Sequence, residues 1–205
     1  GRGRIWRLAR RDAPKRPALA SLGTGRPAYS AVEKLLSHPD RRIRERAVRD
    51  LAGREGAEML CRRAVAKSRD DRARYHALVF LARKGLLDTV LLRELAASGA
   101  SGRLLEGAVR LLGQSSAAAR KTGLPALLSE GVLQQHPRAQ MEAILALDEL
   151  ADLEGPLLRL AAGTGDPFLR SACIQTLARL GSLERFTALA SSSDAKIRFT
   201  TLLVL

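Results

Sequence analysis

The side chains that most often perform chemistry are few in this chain and lie far apart along it. His38, His76 and His136 have no second histidine or cysteine at the spacing of a zinc site. Cys61 and Cys173 are 112 positions apart, and each lies in an apolar helical pattern that predicts a buried thiol. The sequence therefore predicts no metal site, no disulfide and no reactive cysteine.

Other arrangements that could support catalysis are also incomplete. Asp148, Glu149, Asp152 and Glu154 form a carboxylate cluster, which we expect to be a solvated acidic corner at a helix end. The glycine-containing turns match neither phosphate-loop spacing, and the serine–glycine segments lack the strand-to-helix setting of a nucleophile elbow. We therefore predict a protein without enzymatic activity and without a cofactor.

A segment of about 30 residues recurs six times, with steps of 30, 31, 35, 30 and 28 residues. Each copy places an apolar residue, a small residue and a leucine at helical spacing after its first residue. A period in this range is typical of stacked helical pairs. We predict an all-α fold, an α-solenoid of about six stacked pairs with eleven or twelve helices. The copies begin at Asp40, Asp70, Ser101, His136, Asp166 and Asp194.

Helical periodicity, glycines and prolines also give the expected helix bounds. Between residues 116 and 134 we expect an irregular helix, because Gly123, Pro125 and Gly131 interrupt it. The other predicted helices span residues 29–37, 40–52, 57–67, 71–83, 87–97, 103–112, 137–151, 156–162, 167–180, 183–191 and 196–205.

The pattern Asp-x-x-(Ile/Leu)-Arg-x-x-(Ala/Cys)-x-x-x-Leu resembles the HEAT-repeat family, in the short bacterial form also seen in phycobilin-lyase-type repeats. The third and fourth copies depart from it, with Leu105 and Gln140 in place of the arginine. The resemblance covers about residues 28–205 and implies a HEAT-type solenoid, an architecture with many unrelated functions. Some HEAT-like solenoids are DNA glycosylases, but no tryptophan lies in these repeats to hold a damaged base.

The recurring aspartate and arginine are predicted to have structural roles. An aspartate before a helix satisfies free backbone N–H groups, and we expect the arginine four residues later to pair with an aspartate of its own or the adjacent repeat. A catalytic group would occur once rather than at the repeat period. The predicted caps and stacking residues are Asp40, Arg44, Asp70, Arg74, Asp166, Arg170, Asp194 and Arg198.

Residues 1–27 differ from the rest, with dense arginine, prolines and glycines that predict a linker or a juxtamembrane segment. The chain begins at Gly1 and stops within the sixth repeat, so we expect a fragment of a longer protein. Such an end would leave Ile197, Leu202, Leu203 and Leu205 half covered. Residues expected to lie close to a membrane or polyanion are Arg2, Arg4, Trp6, Arg7, Arg10 and Arg11.

The net charge of +14 is concentrated in one half of the chain. Residues 1–103 contain 25 Lys and Arg against 11 Asp and Glu, whereas residues 104–205 contain 10 of each. A GC-rich genome explains the excess of arginine over lysine but not this asymmetry. On the concave face of a solenoid, cations at one repeat position would form a ladder, which Glu142 and Glu149 interrupt. The predicted stripe comprises Arg42, Arg46, Arg49, Arg72, His76, Arg103, Arg110 and Arg138.

Three functional hypotheses follow. The first is a non-catalytic scaffold that holds a protein partner on its concave face, in the cytoplasm or at the inner face of a membrane, as part of a larger protein. The second is binding of nucleic acid or an anionic membrane through residues 1–103. The third, an enzyme of the glycosylase type, has the least support. In the alternative interpretation of the charge, the cations form only a solvated polar face.

Overall fold

The computed structural model describes residues 28–115 and 117–205, which form an all-α fold, as the sequence predicts. This part of the chain contains twelve α-helices and no β-strand. A π-helical turn at Ala119–Gly123 precedes α7, and a 3-10 turn at Ala151–Leu153 precedes α9. The helices are α1 (Tyr29–Leu36), α2 (Arg41–Leu51), α3 (Ala57–Lys67), α4 (Asp71–Arg83), α5 (Thr89–Ala97), α6 (Gly102–Ser115), α7 (Leu124–Ser129), α8 (Pro137–Leu145), α9 (Glu154–Gly163), α10 (Pro167–Leu180), α11 (Leu183–Leu189) and α12 (Ala195–Val204).

Most helices begin and end within a few residues of their predicted bounds, but the prediction for α8 is wrong. The apolar periodicity predicts a helix to residue 151, whereas α8 ends at Leu145. Side chains of α10 satisfy the carbonyl groups at this end. Thr176 donates to the carbonyl of Ile144, and Arg179 donates to the carbonyls of Leu145 and Leu147. These bonds replace those that a longer helix would make.

Helices that are two apart in chain order contact one another through most of the fold. Each even-numbered helix from α2 to α10 packs against the next even-numbered helix. Among the odd-numbered helices, α1 contacts α3, α3 contacts α5 and α5 contacts α7. Helices α9 and α11 each also contact α12.

A single apolar cluster runs through the described residues from Val32 to Val204. At the centre of each even-numbered helix the cluster contains a small side chain that is at most 3% exposed. Small side chains at this position allow the helix axes to approach closely. These residues are Ala47, Ala77, Ala108, Ala143, Cys173 and Thr201.

Two expectations concern the ends of the chain. Residues 1–27, with Arg2, Arg4, Trp6, Arg7, Arg10 and Arg11, lie outside the described residues. At the other end, α12 leaves Leu202, Leu203 and Leu205 about half or more exposed, while Ile197 is partly buried. No helix within residues 28–115 and 117–205 has the length and apolar character that a membrane span requires.

Candidate binding groove

An open groove of about 1190 Å³ runs along the solvent-facing side of α2, α4 and α6. On α4 it is lined by Arg72, Tyr75, His76 and Val79, whose spacing places them on one side of the helix. The opposite side of α4 is buried in the apolar cluster. The amphipathic pattern of the sequence therefore directs these four side chains outward.

The floor of the groove combines an aromatic ring with half-buried apolar side chains. Tyr75 is 36% exposed and lies against Gly107 of α6, while Val79 and Leu111 are partly buried beside it. A Cβ atom at residue 107 would lie 2.8 Å from Cε2 of Tyr75. Because Gly107 has no side chain, the ring of Tyr75 can pack against the backbone of α6.

His76 lines the groove as a neutral side chain rather than as a cation. Arg44 donates from Nε to Nε2 of His76 at 2.8 Å, and its Nη1 donates to the carbonyls of His38 and Pro39 at 2.5 and 2.8 Å. Burial, together with the positive charge of Arg44, lowers the pKa of His76 to about 4. At neutral pH His76 therefore acts as a hydrogen-bond acceptor.

Four arginines of the predicted stripe have carboxylate partners. Three pair with an aspartate of their own segment: Arg42 with Asp40 at 2.8 Å, Arg46 with Asp50 at 3.7 Å and Arg72 with Asp70 at 3.5 Å. Arg110 pairs with Glu106 at 2.9 Å and with Glu142 of α8 at 2.5 Å. Hydrogen bonds from the Arg42 side chain and backbone lower the pKa of Asp40 to about 2.

Three arginines that line the groove have no carboxylate partner among the described residues. Arg83 and Arg103 are exposed and make no hydrogen bond or ion pair there. Arg44 bonds only to neutral acceptors, namely two carbonyl oxygens and His76. Each of α2, α4 and α6 thus contributes one positive charge that no neighbouring carboxylate balances.

The groove contains only part of the predicted stripe. Arg72, His76, Arg103 and Arg110 line it. The other four members, Arg42, Arg46, Arg49 and Arg138, do not line it, and Arg138 instead stacks 4.8 Å over the ring of Phe168.

Tyr75 and Arg83 line the groove but were not predicted as binding residues. Both follow Arg72 at spacings, three and eleven residues, that return to the same side of a helix. That spacing could have identified them. Arg44, predicted to be a stacking residue, also lines the groove.

No family model, curated protein or solved structure matches this chain.

The recurring aspartates lie at helix N-termini. Asp40 accepts a hydrogen bond from the backbone N–H of residue 42 at 2.9 Å, and Asp70 from that of residue 72 at 2.7 Å. Asp166 and Asp194 each accept two such bonds at the starts of α10 and α12. Asp88 caps α5 in the same way, although the repeat pattern did not include it.

The recurring arginines bond to neutral acceptors rather than to the aspartates that we expected. Arg74, which is 8% exposed, donates to the carbonyl of Val65 at 2.8 Å and to Oγ of Ser98 at 2.6 Å. Arg170 donates to the carbonyls of Ala161 and Thr164. Arg198 donates to those of residues 192 and 193. Asp40 and Asp70 pair instead with the arginines two residues later, Arg42 and Arg72.

The cysteines and the acidic corner lie outside the groove. Cys61 and Cys173 are free and buried, and burial raises the pKa of each thiol to about 12. Within the described residues no three metal-ligating side chains come together. The acidic corner is not uniformly solvated, because Glu154 is 7% exposed and accepts a 2.6 Å hydrogen bond from Arg185.

Proposed function

We propose that residues 28–205 form an α-solenoid of about six HEAT-like helix pairs, which acts as a non-catalytic scaffold for a protein partner. The contacts between successive even-numbered helices, and between successive odd-numbered helices up to α7, support this arrangement. In such a stack the even-numbered helices form one continuous face, and the groove lies on its first half. We propose that the partner binds there.

The observation that carries this proposal is the composition of the groove. An exposed tyrosine and partly buried apolar side chains line it together with arginines that have no carboxylate partner in the described part of the chain. Tyrosine and arginine are the residues that most often dominate the energy of protein–protein interfaces. Two buried, unreactive thiols accord with a cytoplasmic location.

Nucleic acid is a less well supported ligand for this groove. A phosphate backbone is bound by several free cations in succession. Here Arg41, Arg72 and Arg110 already have carboxylate partners. Within the described residues the groove arginines without a carboxylate partner are Arg44, Arg83 and Arg103, one on each helix, which are fewer cations than a phosphate chain laid along the three helices would contact.

Selection of peptides from a displayed random library against the folded chain would test the proposal. Selected peptides should bind the wild type and lose affinity for a double variant, Tyr75→Ala with Arg103→Ser, that alters only exposed groove side chains. A matched control, Met59→Ala with Lys67→Ser, removes one exposed apolar residue and one cation from α3, outside the groove.

Peptides that bind the wild type and the control equally, but not the groove variant, would support a scaffold that uses this face. If all selected peptides bind the three proteins alike, the groove is not the interaction surface.

A further inference from the structure

We propose that the groove of α2, α4 and α6 binds an extended acidic peptide whose two acidic ends flank an apolar anchor. This inference rests on the proposed scaffold function, because it specifies the partner segment that the same groove would hold.

The charge of the groove calls for an acidic ligand. Its lining contains six arginines and three carboxylates, Glu45, Asp71 and Glu106. Glu45 and Glu106 pair with Arg41 at 2.6 Å and with Arg110 at 2.9 Å, whereas Asp71 accepts a hydrogen bond from the neutral hydroxyl of Ser101 and keeps its negative charge. Within the described residues Arg44, Arg83 and Arg103 have no carboxylate partner and outnumber the single charge of Asp71, so they can pair with carboxylates of a ligand.

The centre of the groove calls for an apolar side chain. The ring of Tyr75 lies over Gly107, and Val79 and Leu111, each four residues further along its helix, are partly buried. An apolar or aromatic residue placed here would cover the exposed part of this apolar surface. A purely charged ligand would leave this surface uncovered.

The ends of the groove set the length of the segment. The contact of Tyr75 with Gly107 and the hydrogen bond between Asp71 and Ser101 show that α4 and α6 run in the same direction. Arg103 therefore lies near the start of α4, and Arg83 lies at its end, about 16 Å along the axis from Arg72. An extended peptide covers this distance with about five residues.

A synthetic peptide of this design provides the probe. The end-blocked, fluorescent sequence Glu-Glu-Ser-Leu-Phe-Ser-Glu-Glu places its inner acidic residues about 16 Å apart when extended. Its affinity is measured by fluorescence anisotropy with the full chain. Two comparison peptides replace every Glu by Gln, or Leu and Phe by Ser.

Charge reversal of the two exposed arginines, Arg83→Glu with Arg103→Glu, should weaken binding of this peptide by about tenfold or more. Tyr75→Ala should also weaken it by about tenfold. The matched control, Lys67→Glu with Arg69→Glu, makes the same charge change at exposed cations outside the groove and should stay within about twofold of wild type. Circular dichroism of each variant verifies that it is folded.

Several outcomes would overturn the inference. If the peptide with Gln in place of Glu binds as tightly as the probe, the acidic ends do not contribute to binding. If the peptide with Ser in place of Leu and Phe binds as tightly, the apolar anchor does not contribute. Displacement of the probe by an equal charge concentration of duplex DNA would identify a nucleic-acid site instead. If the displayed library yields groove-dependent peptides without acidic residues, this inference fails while the proposed scaffold function stands.

Discussion

At the scale of single residues, two of the recurring arginines bond to carbonyl groups near the end of the preceding helix. Arg74 reaches Val65 near the end of α3, and Arg170 reaches Ala161 near the end of α9. The last carbonyl groups of a helix have no partner within that helix, so a guanidinium group can satisfy them. Arg74 and Arg170 therefore join consecutive helices, whereas Arg44 and Arg198 bond to carbonyl groups of the turn before their own helix.

Arg74→Ala is expected to lower the free energy of unfolding by about 2–3 kcal/mol, because it leaves the carbonyl of Val65 unsatisfied and opens a gap in the interior. Urea denaturation followed by circular dichroism measures the change. The exposed neighbour Arg72, replaced by alanine, should cost no more than about 0.5 kcal/mol. Equal losses from the two variants would contradict the capping role of Arg74.

His76 should make the fold sensitive to acid before the carboxylates titrate. Its pKa is lowered from 6.5 to about 4 by burial and by Arg44, with Arg41 and Arg83 acting in the same direction and Glu45 opposing them. The unfolded chain therefore binds a proton that the folded chain excludes. Stability should fall by about 1–2 kcal/mol as the pH drops from 6.5 to 4. That range allows for partial exposure of the ring.

Replacement of His76 by glutamine should remove this part of the pH dependence, since a glutamine carbonyl can still accept the hydrogen bond from Arg44. The measurement is the difference between the unfolding free energies of wild type and His76→Gln at several pH values. A difference that is constant from pH 6.5 to 4 would show that His76 titrates normally.

At the scale of helices, close packing depends on the small residue at the centre of each even-numbered helix. Ala108 of α6 is fully buried, and α6 packs against both α4 and α8. A larger side chain there has no empty space to occupy, because interiors are packed to nearly crystalline density.

Ala108→Leu should therefore destabilise the fold by about 1–3 kcal/mol. The exposed residue Gln114 on the same helix, replaced by leucine, provides a control that should be nearly neutral. Thermal unfolding of the two variants gives the comparison, and an unchanged midpoint for Ala108→Leu would argue against close approach at this position.

At the scale of the whole molecule, charge and apolar exposure are distributed unevenly. The described residues 28–103 contain 17 Lys and Arg against 10 Asp and Glu, so the groove lies in the basic part of the fold.

The last helix, α12, exposes several apolar side chains. Phe199, Leu202 and Leu203 of α12 are between 48% and 64% exposed. Adjacent exposed apolar side chains of this kind favour association.

We expect the chain to self-associate through α12 at high concentration. Leu202→Glu with Leu203→Glu should lower the average mass measured by sedimentation equilibrium, since it places two charges in the apolar surface. Val90→Glu, at an exposed apolar residue of α5, is the control and should leave the average mass unchanged. An effect of the same size from both variants would exclude α12 as the contact.

The sequence by itself determined the features that depend on local interactions. The helical periodicity of apolar residues predicted the all-helical fold and the bounds of α3, and aspartate caps added to it in α4 and α10. These signals act over one or two helical turns, so they can be read along the chain.

Only the tertiary structure decided which groups meet across helices. The end of α8 depends on Thr176 and Arg179, about 32 residues further along the chain. Arg110 is neutralised by Glu142 from another helix, whereas Arg83 and Arg103 have no ion-pair partner within residues 28–115 and 117–205. The amino-acid composition does not distinguish paired from unpaired arginines. Their availability to a ligand depends on partners that folding brings together.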